Sequence, residues 1–456
     1  MKQLAVFLVI VSTVCFSAQS YAADIVARLD ALEETIKQQG RTIEEQQRVI
    51  NELREELKKT EQEAVTKRKE APKPEEKTAA GEKTQQATGL FGASSLMNPN
   101  ISLILDTFGY TSNLTESDLQ NRGIPGYTSD GITNRKGFNL DSAELYFFAP
   151  VDPYFNLYAT IPVTEDGVEL EEAYFLTTSL PYGLQVKGGK FKSGLGRING
   201  QHPHAWDFVD APLAYRAFMG GEGITEKGLQ LTYLPPLPIY ALLGIEVLQG
   251  ENSTLFGPDA RSGPHAFTAF AKVSIDLSDN ATILIGQSGI TGSTKTETVA
   301  PDTEFGGTST LYDTELTYKW KPSKFQSFIL QSEYLYRHQR GELSDLGSPD
   351  TTVVNSLKRA QDGLYVQGVY QMNRWRLGAR YGVLGLLKSD YILAGDHTDF
   401  GPKPWRATAM LEFNPTEFSR IRLQYSHDEA DPNEKVNNEM ILQFIFGIGA
   451  HGAHPF

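Results

Sequence analysis

The chain has 456 residues, of which 40% are hydrophobic, and a formal net charge of −14 at pH 7. That hydrophobic share is too low for a bundle of membrane-spanning helices, and the acidic balance argues against a general nucleic-acid partner. The single cysteine, Cys15, lies in the leader, so the remaining chain has no internal disulfide and no thiolate metal site.

Residues 1–22 read as a signal peptide. Lys2 supplies the positive start, and Leu4 to Phe16 form an apolar run too short to cross a bilayer. Ser20-Tyr21-Ala22 offers small residues where a signal peptidase reads, which predicts cleavage after Ala22. Ser12-Thr13-Val14 before Cys15 is a poor lipobox. No later stretch holds 18 consecutive apolar residues. An exported chain of this kind is held in a membrane only as a closed barrel.

Residues 23–60 carry a heptad register. Leu29, Ile36, Ile43, Ile50 and Leu57 fall at a, and Ile25, Leu32 and Leu53 at d, with Gln39 and Gln46 in the other d places. This predicts a self-associating coiled coil in the periplasm, with cell-wall contact as one use for it. Residues 61–97, rich in Lys, Glu and Pro in their larger part, read as a flexible linker.

From 98 to 456 the texture changes to alternating apolar and polar residues. About sixteen strands are predicted. The first eight are 100–110, 138–149, 153–163, 168–178, 184–192, 227–234, 238–249 and 265–276. The rest are 281–290, 311–321, 325–337, 363–372, 374–385, 405–413, 417–427 and 438–448. Most have the length that a tilted strand needs to cross the hydrocarbon layer. Their connections alternate between short turns and long loops, the exception being 164–167, short where a long loop is due. Such sorting marks a transmembrane antiparallel β-barrel with its turns in the periplasm. A soluble sandwich has no reason to sort its loops, and a propeller would show a repeated motif.

Alternate residues then face lipid and lumen. Placing the apolar face of each strand outward puts Arg374, Arg376, Arg380, Arg406, Arg420 and Arg422 into the lumen on three neighbouring strands, as an arginine pore wall. The same reading turns Glu144, Glu169, Glu171, Glu246, Glu315 and Glu333 inward. The alternative use of the arginines is to pair with such carboxylates and solvate the lumen. The longest irregular segment of the barrel region, 193–226, follows the fifth strand. Arg197, His202, His204, Asp207, Asp210 and Arg216 of this loop are the candidate constriction residues, and Glu222 lies in the same loop.

Gly189-Lys190-Phe191-Lys192, Phe208, Tyr215-Arg216-Ala217-Phe218 and Gly228-Leu229-Gln230 resemble the outer-membrane porins, and most of all the phosphate-selective (porin O and P) family. Ser193 stands where that family usually has proline, and the loop has no lysine-rich cluster. The resemblance implies a third long loop folded into the lumen, an N-terminal coiled coil and a homotrimer. The terminal Phe456 resembles an outer-membrane assembly signal.

Two histidine pairs, His202 with His204 and His451 with His454, are the only metal-binding candidates, and solvated histidines are the simpler account of them. No Walker, Rossmann or haem motif is present, and Ser426-His427-Asp428 is a local run on a strand. The expectation is a Gram-negative outer-membrane porin, with no enzymatic activity and no cofactor. It passes small hydrophilic solutes or ions, with a preference for anions such as phosphate. The alternatives are a barrel that anchors the membrane to the cell wall through the coiled coil, and a metal-linked uptake barrel.

Overall fold

The computed structural model describes residues 99–449 except 121, 128–134, 258–262, 295–297, 301–302, 346–353 and 432–433, together with Arg48. The chain divides into two compact units, Met1–Gln85 and Gln86–Phe456. The signal peptide, most of the coiled coil, the linker and the pair His451 and His454 lie outside the described residues.

Sixteen strands build the wall. They are β1 (Asn100–Ser112), β2 (Gly137–Pro150), β3 (Phe155–Val163), β4 (Glu172–Thr177), β5 (Leu184–Lys192), β6 (Thr225–Tyr233), β7 (Tyr240–Leu248) and β8 (Ala266–Ser278). There follow β9 (Ala281–Thr294), β10 (Thr303–Ser323), β11 (Gln326–Asp345), β12 (Val354–Met372), β13 (Trp375–Leu393), β14 (Trp405–Thr416), β15 (Ser419–Glu429) and β16 (Asn437–Gly449). Two short pieces, Thr298–Ala300 and Asp396–His397, extend hairpin tips. Each strand pairs antiparallel with its chain neighbours. β1 pairs with both β2 and β16, as in Ile104 with Glu144 and Ser102 with Gly449, so the sheet closes into a barrel without an edge.

All sixteen predicted strands are present. The main difference is length. The predicted loops 291–310, 338–362 and 386–404 are in large part continuations of β9–β13, so β10–β13 run 19–21 residues. The fourth strand is the opposite case. It starts at Glu172; the chain before it follows β3 through an isolated bridge between Val163 and Val168 and the Glu169 and Glu171 N–H groups, which donate to the Pro162 and Thr160 carbonyls.

Polarity is inverted relative to a soluble protein. On β7, Ile245 is 56% exposed while its neighbour Glu246 is 2% exposed. Exposed aromatics collect near the short turns: Tyr154, Tyr182, Tyr240, Trp320, Phe325, Trp375 and Phe418. A second set, Phe138, Phe267, Tyr312, Tyr381 and Tyr425, lies toward the other rim. An apolar band between two aromatic girdles is how a barrel meets a bilayer. The protein is therefore an outer-membrane barrel.

Ile245 lies five residues above the girdle residue Tyr240, which places it about 13 Å into the apolar band for a strand tilted by about 40°. Ile245→Arg should destabilise the barrel by about 2–4 kcal/mol. The measurement is a denaturant titration of the barrel refolded in lipid, with Ile245→Leu as the neutral reference; equal stability of the two variants would place this face away from lipid.

Candidate functional site

The fifth strand ends at Lys192 and the sixth begins at Thr225, so residues 193–224 form the long loop. Its side chains are buried for most of its length, including Trp206, Phe208, Tyr215 and Phe218. Only the interior of the barrel can bury so many apolar groups of a loop. The segment therefore folds into the lumen.

Its path is held by the inward carboxylates. The Ser193 hydroxyl donates to Glu246 at 2.5 Å, and the Gly194 N–H donates to the same carboxylate at 2.8 Å. The backbone N–H groups of Arg197 and Ile198 both donate to Oε1 of Glu333. Lys272 donates to the Gly196 carbonyl at 2.5 Å and pairs with Glu315 at 3.1 Å. Inside the loop, Asn199 donates to the Ser193 and Ile224 carbonyls and accepts from Tyr215 and the Ile224 N–H, which ties the two ends together. Buried backbone donors need such acceptors, and strand side chains supply them here.

The loop then crosses to the β2 and β4 side. Nδ1 of His202 lies 3.2 Å from Glu171, its Nε2 lies 2.9 Å from Glu172, and His204 lies 3.2 Å from Glu144. Burial alone would depress the His202 imidazolium, but Glu171, Glu172 and Glu144 outweigh it and hold its pKa up to about 10. Glu169, expected in the lumen, is exposed and pairs with Lys190, because it precedes the strand and escapes the alternation. Glu172 takes the inward place instead.

Next the loop turns to β13–β15. Register sets the chemistry of this wall. Arg376 pairs across strands with Glu412, Glu412 with Arg422, and Arg422 with Gln443, in one row. Arg406 stands opposite Asp428 in another. The arginines are thus interleaved with carboxylates. Arg376 binds Glu412 at 2.8 Å and also binds Asp207 of the loop. Arg380 and Arg406 reach Asp210 of the loop at 2.5 Å and 2.7 Å, and Arg406 also binds Asp428 and Glu439. Arg422 binds Glu412 at 2.8 Å and donates to the Trp206 carbonyl. Arg420, the most exposed of these five, donates to the His204 carbonyl. Arg374 stands one residue before β13, exposed at the turn, and lines the cavity at the short-turn rim rather than joining the rows of ion pairs. The wall is less a bare positive field than a clamp on the loop. Burial opposes the charge of Asp210, but Arg380 and Arg406 hold its carboxyl well below the usual carboxylate range.

After Asp210 the chain forms a short helix, α1 (Leu213–Met219), ended by Gly220 at φ 83°. It carries Arg216, which is half-buried. The helix seats on Gly363 of β12, where a Cβ would come within 3.0 Å of Ala214 and 3.1 Å of Phe218. Phe218 meets Tyr127 of the first long loop edge-on at 5.7 Å. Leu255 and Phe256 join the same apolar cluster from the loop after β7.

Below the loop, at the short-turn rim, lies an open cavity of about 1240 Å³. Arg197, Lys319, Arg374 and Arg420 line it, with His204, Asp207 and Glu417. Of the six expected constriction residues, Arg197, His204 and Asp207 reach this cavity. His202 and Asp210 are instead engaged in the two side clusters. Lys319 lay outside the sequence reading, although its place on the face of Glu315 and Thr317 is legible by alternation.

No family model matches the chain. An "Uncharacterized protein" of Aquifex aeolicus (strain VF5) is 43% identical over 385 residues, covering 78% of this chain and 80% of that protein. Among solved structures, the outer membrane channel DcaP of Acinetobacter baumannii is 13% identical, with a TM-score of 0.49 over 78% of this chain and 99% of its own. The anion-selective porin from Comamonas acidovorans is 9% identical, with a TM-score of 0.47 over 77% and 99%.

Asp210→Ala removes the shared partner of Arg380 and Arg406. Leaving buried arginines short of a counter-charge costs about 3–5 kcal/mol. The expected outcome is a folded barrel with a released loop, read as new protease cleavage within 193–224 and a lower melting temperature. An equally protected loop would dismiss the clamp. In the parent protein the Asp210 contribution is fully present above the ordinary aspartate pKa of 3.8, and it is lost only as pH falls below that value.

Proposed function

The chain belongs to one family with the Aquifex aeolicus protein, and we propose that it is a passive diffusion channel of the outer membrane, for small hydrophilic solutes with a preference for anions. One observation carries the reading. The wide cavity at the short-turn rim ends on the folded loop and is lined by four cationic side chains, Arg197, Lys319, Arg374 and Arg420, against Asp207 and Glu417. Fixed charge of one sign on low-dielectric walls concentrates ions of the other sign. The wall arginines act one step removed. Paired with Asp207, Asp210 and Glu412, they set where the loop stands and so how wide the passage is. Solute choice then needs only size, a fixed field and weak binding.

The short turns place the cavity on the periplasmic side. The heptads of 23–60 support self-association through a periplasmic coiled coil, and the resemblance to porins implies that the assembly is a homotrimer. Native mass spectrometry in detergent counts the chains. The narrower likeness to phosphate-selective porins is open to a current measurement, since phosphate that binds in the cavity blocks chloride current.

The central experiment is conductance of the folded barrel in planar bilayers across a salt gradient. The expected reversal potential has the sign of anion preference. The double substitution Lys319→Gln with Arg374→Gln should move it toward zero, because both side chains line the cavity. An unchanged potential would remove the cavity as the filter. A folded barrel that passes no ions would remove the channel reading and favour the cell-wall anchor.

A further inference from the structure

We propose that Glu144, Glu171 and His202 form a binding site for one divalent transition-metal ion, supported by Glu172 and His204. The inference stands on this cluster alone and does not depend on the channel reading.

One ligand atom from each of the three residues lies within 4.8 Å of the others. Nδ1 of His202 is 3.2 Å from Oε2 of Glu171 and 3.7 Å from Oε2 of Glu144. Zinc bonds of about 2.0–2.1 Å in a tetrahedral site put ligand atoms about 3.3–3.4 Å apart. The two His202 distances bracket that spacing, and the three atoms together lie within 4.8 Å of one another. Nδ1 of His204 lies 3.2 Å from the same oxygen of Glu144 and offers a fourth donor close by.

The surroundings direct the donors. Oε2 of Glu172 lies 2.9 Å from Nε2 of His202. With a metal ion bound, that contact would keep the imidazole proton on Nε2 and leave the Nδ1 lone pair for the ion, between Glu171 and Glu144. A carboxylate that orients a histidine in this way is the usual outer support of a metal ligand. Two carboxylate oxygens facing Nδ1 are satisfied either by a proton on that nitrogen or by a metal ion in its place. Lys192 is no candidate, since it engages the other oxygen of Glu171 at 2.7 Å. Glu144 is 3% exposed, and its Oε1 is buried with no hydrogen-bond partner among the described residues. Three carboxylates and one ammonium leave two negative charges when both imidazoles are neutral, which a divalent ion closes. Mixed imidazole and carboxylate donors suit zinc and its first-row neighbours. His204 also lines the open cavity, which gives an ion a path in. A proton on Nδ1 is the competing occupant.

The test uses the full-length protein, folded in detergent and stripped with a chelator, and titrates it with Zn²⁺ by calorimetry. One zinc per chain is expected at this site. His202→Asn and Glu171→Gln should each weaken it by about tenfold or more. His451→Asn with His454→Asn should leave it in place. Co²⁺ should give the visible absorption of a tetrahedral site in the parent protein and lose it in Glu144→Gln, with heat-modifiable gel mobility reporting the folded barrel in every variant. No zinc bound by the parent protein, unchanged affinity in both His202→Asn and Glu171→Gln, or loss of binding only in the tail variant each overturns the proposal. The first two leave His202 as a protonated ion-pair partner.

Discussion

The structure depends on one requirement: a loop folded into a barrel must find partners for every polar group it carries. The 193–224 loop brings backbone N–H groups, two aspartates and two histidines out of bulk water. Each unmatched group would cost more than a typical hydrogen bond contributes. The barrel answers with inward glutamates on one side and inward arginines on the other. Glu246 and Glu333 accept from the loop backbone, Arg380 and Arg406 hold Asp210, and Glu144 with Glu171 and Glu172 holds the histidines.

This division explains why the lumen is charged without behaving as a simple charged tube. The wall arginines are committed to carboxylates in their own rows and on the loop. Charge left facing the open cavity comes from residues at the rim and from the loop's near edge. Under the proposed function, shape and selectivity rest on different residues: the clamp places the loop, and the cationic rim faces the solute. An apolar layer above the clamp, with α1 seated on Gly363 and Phe218 against Tyr127, keeps the loop from sliding along its charged tracks. Directional ion pairs and close packing together restrict it more than either does alone.

Much of the fold was legible locally. A strand with lipid on one side and water on the other must alternate, and sixteen segments do so. The sorting of connections by length gave the two rims. The faces of Arg376, Arg380, Arg406 and Arg422 followed from the same period, as did those of Glu246, Glu315 and Glu333. Where the chain leaves the period, alternation misleads: Glu169 precedes its strand and is exposed beside Lys190. The upper ends of the β10–β13 hairpins look like loops in the sequence because their polar stretches, standing beyond the apolar band, lose the apolar face that marks a membrane strand.

What the sequence by itself determined is the set of strands, the face that side chains within the alternating segments take, and the existence of a long loop after the fifth strand. These follow from period-2 alternation and composition, which are local properties. Only the tertiary structure decided who meets whom. Cross-strand register put Glu412 between Arg376 and Arg422. The path of the loop took His202 to Glu171 and Glu172, and Asp210 to Arg380, partners about 30 and 170 residues away in the chain. Such pairings depend on closure of the barrel and on how far the loop descends, and no local pattern of residues encodes either.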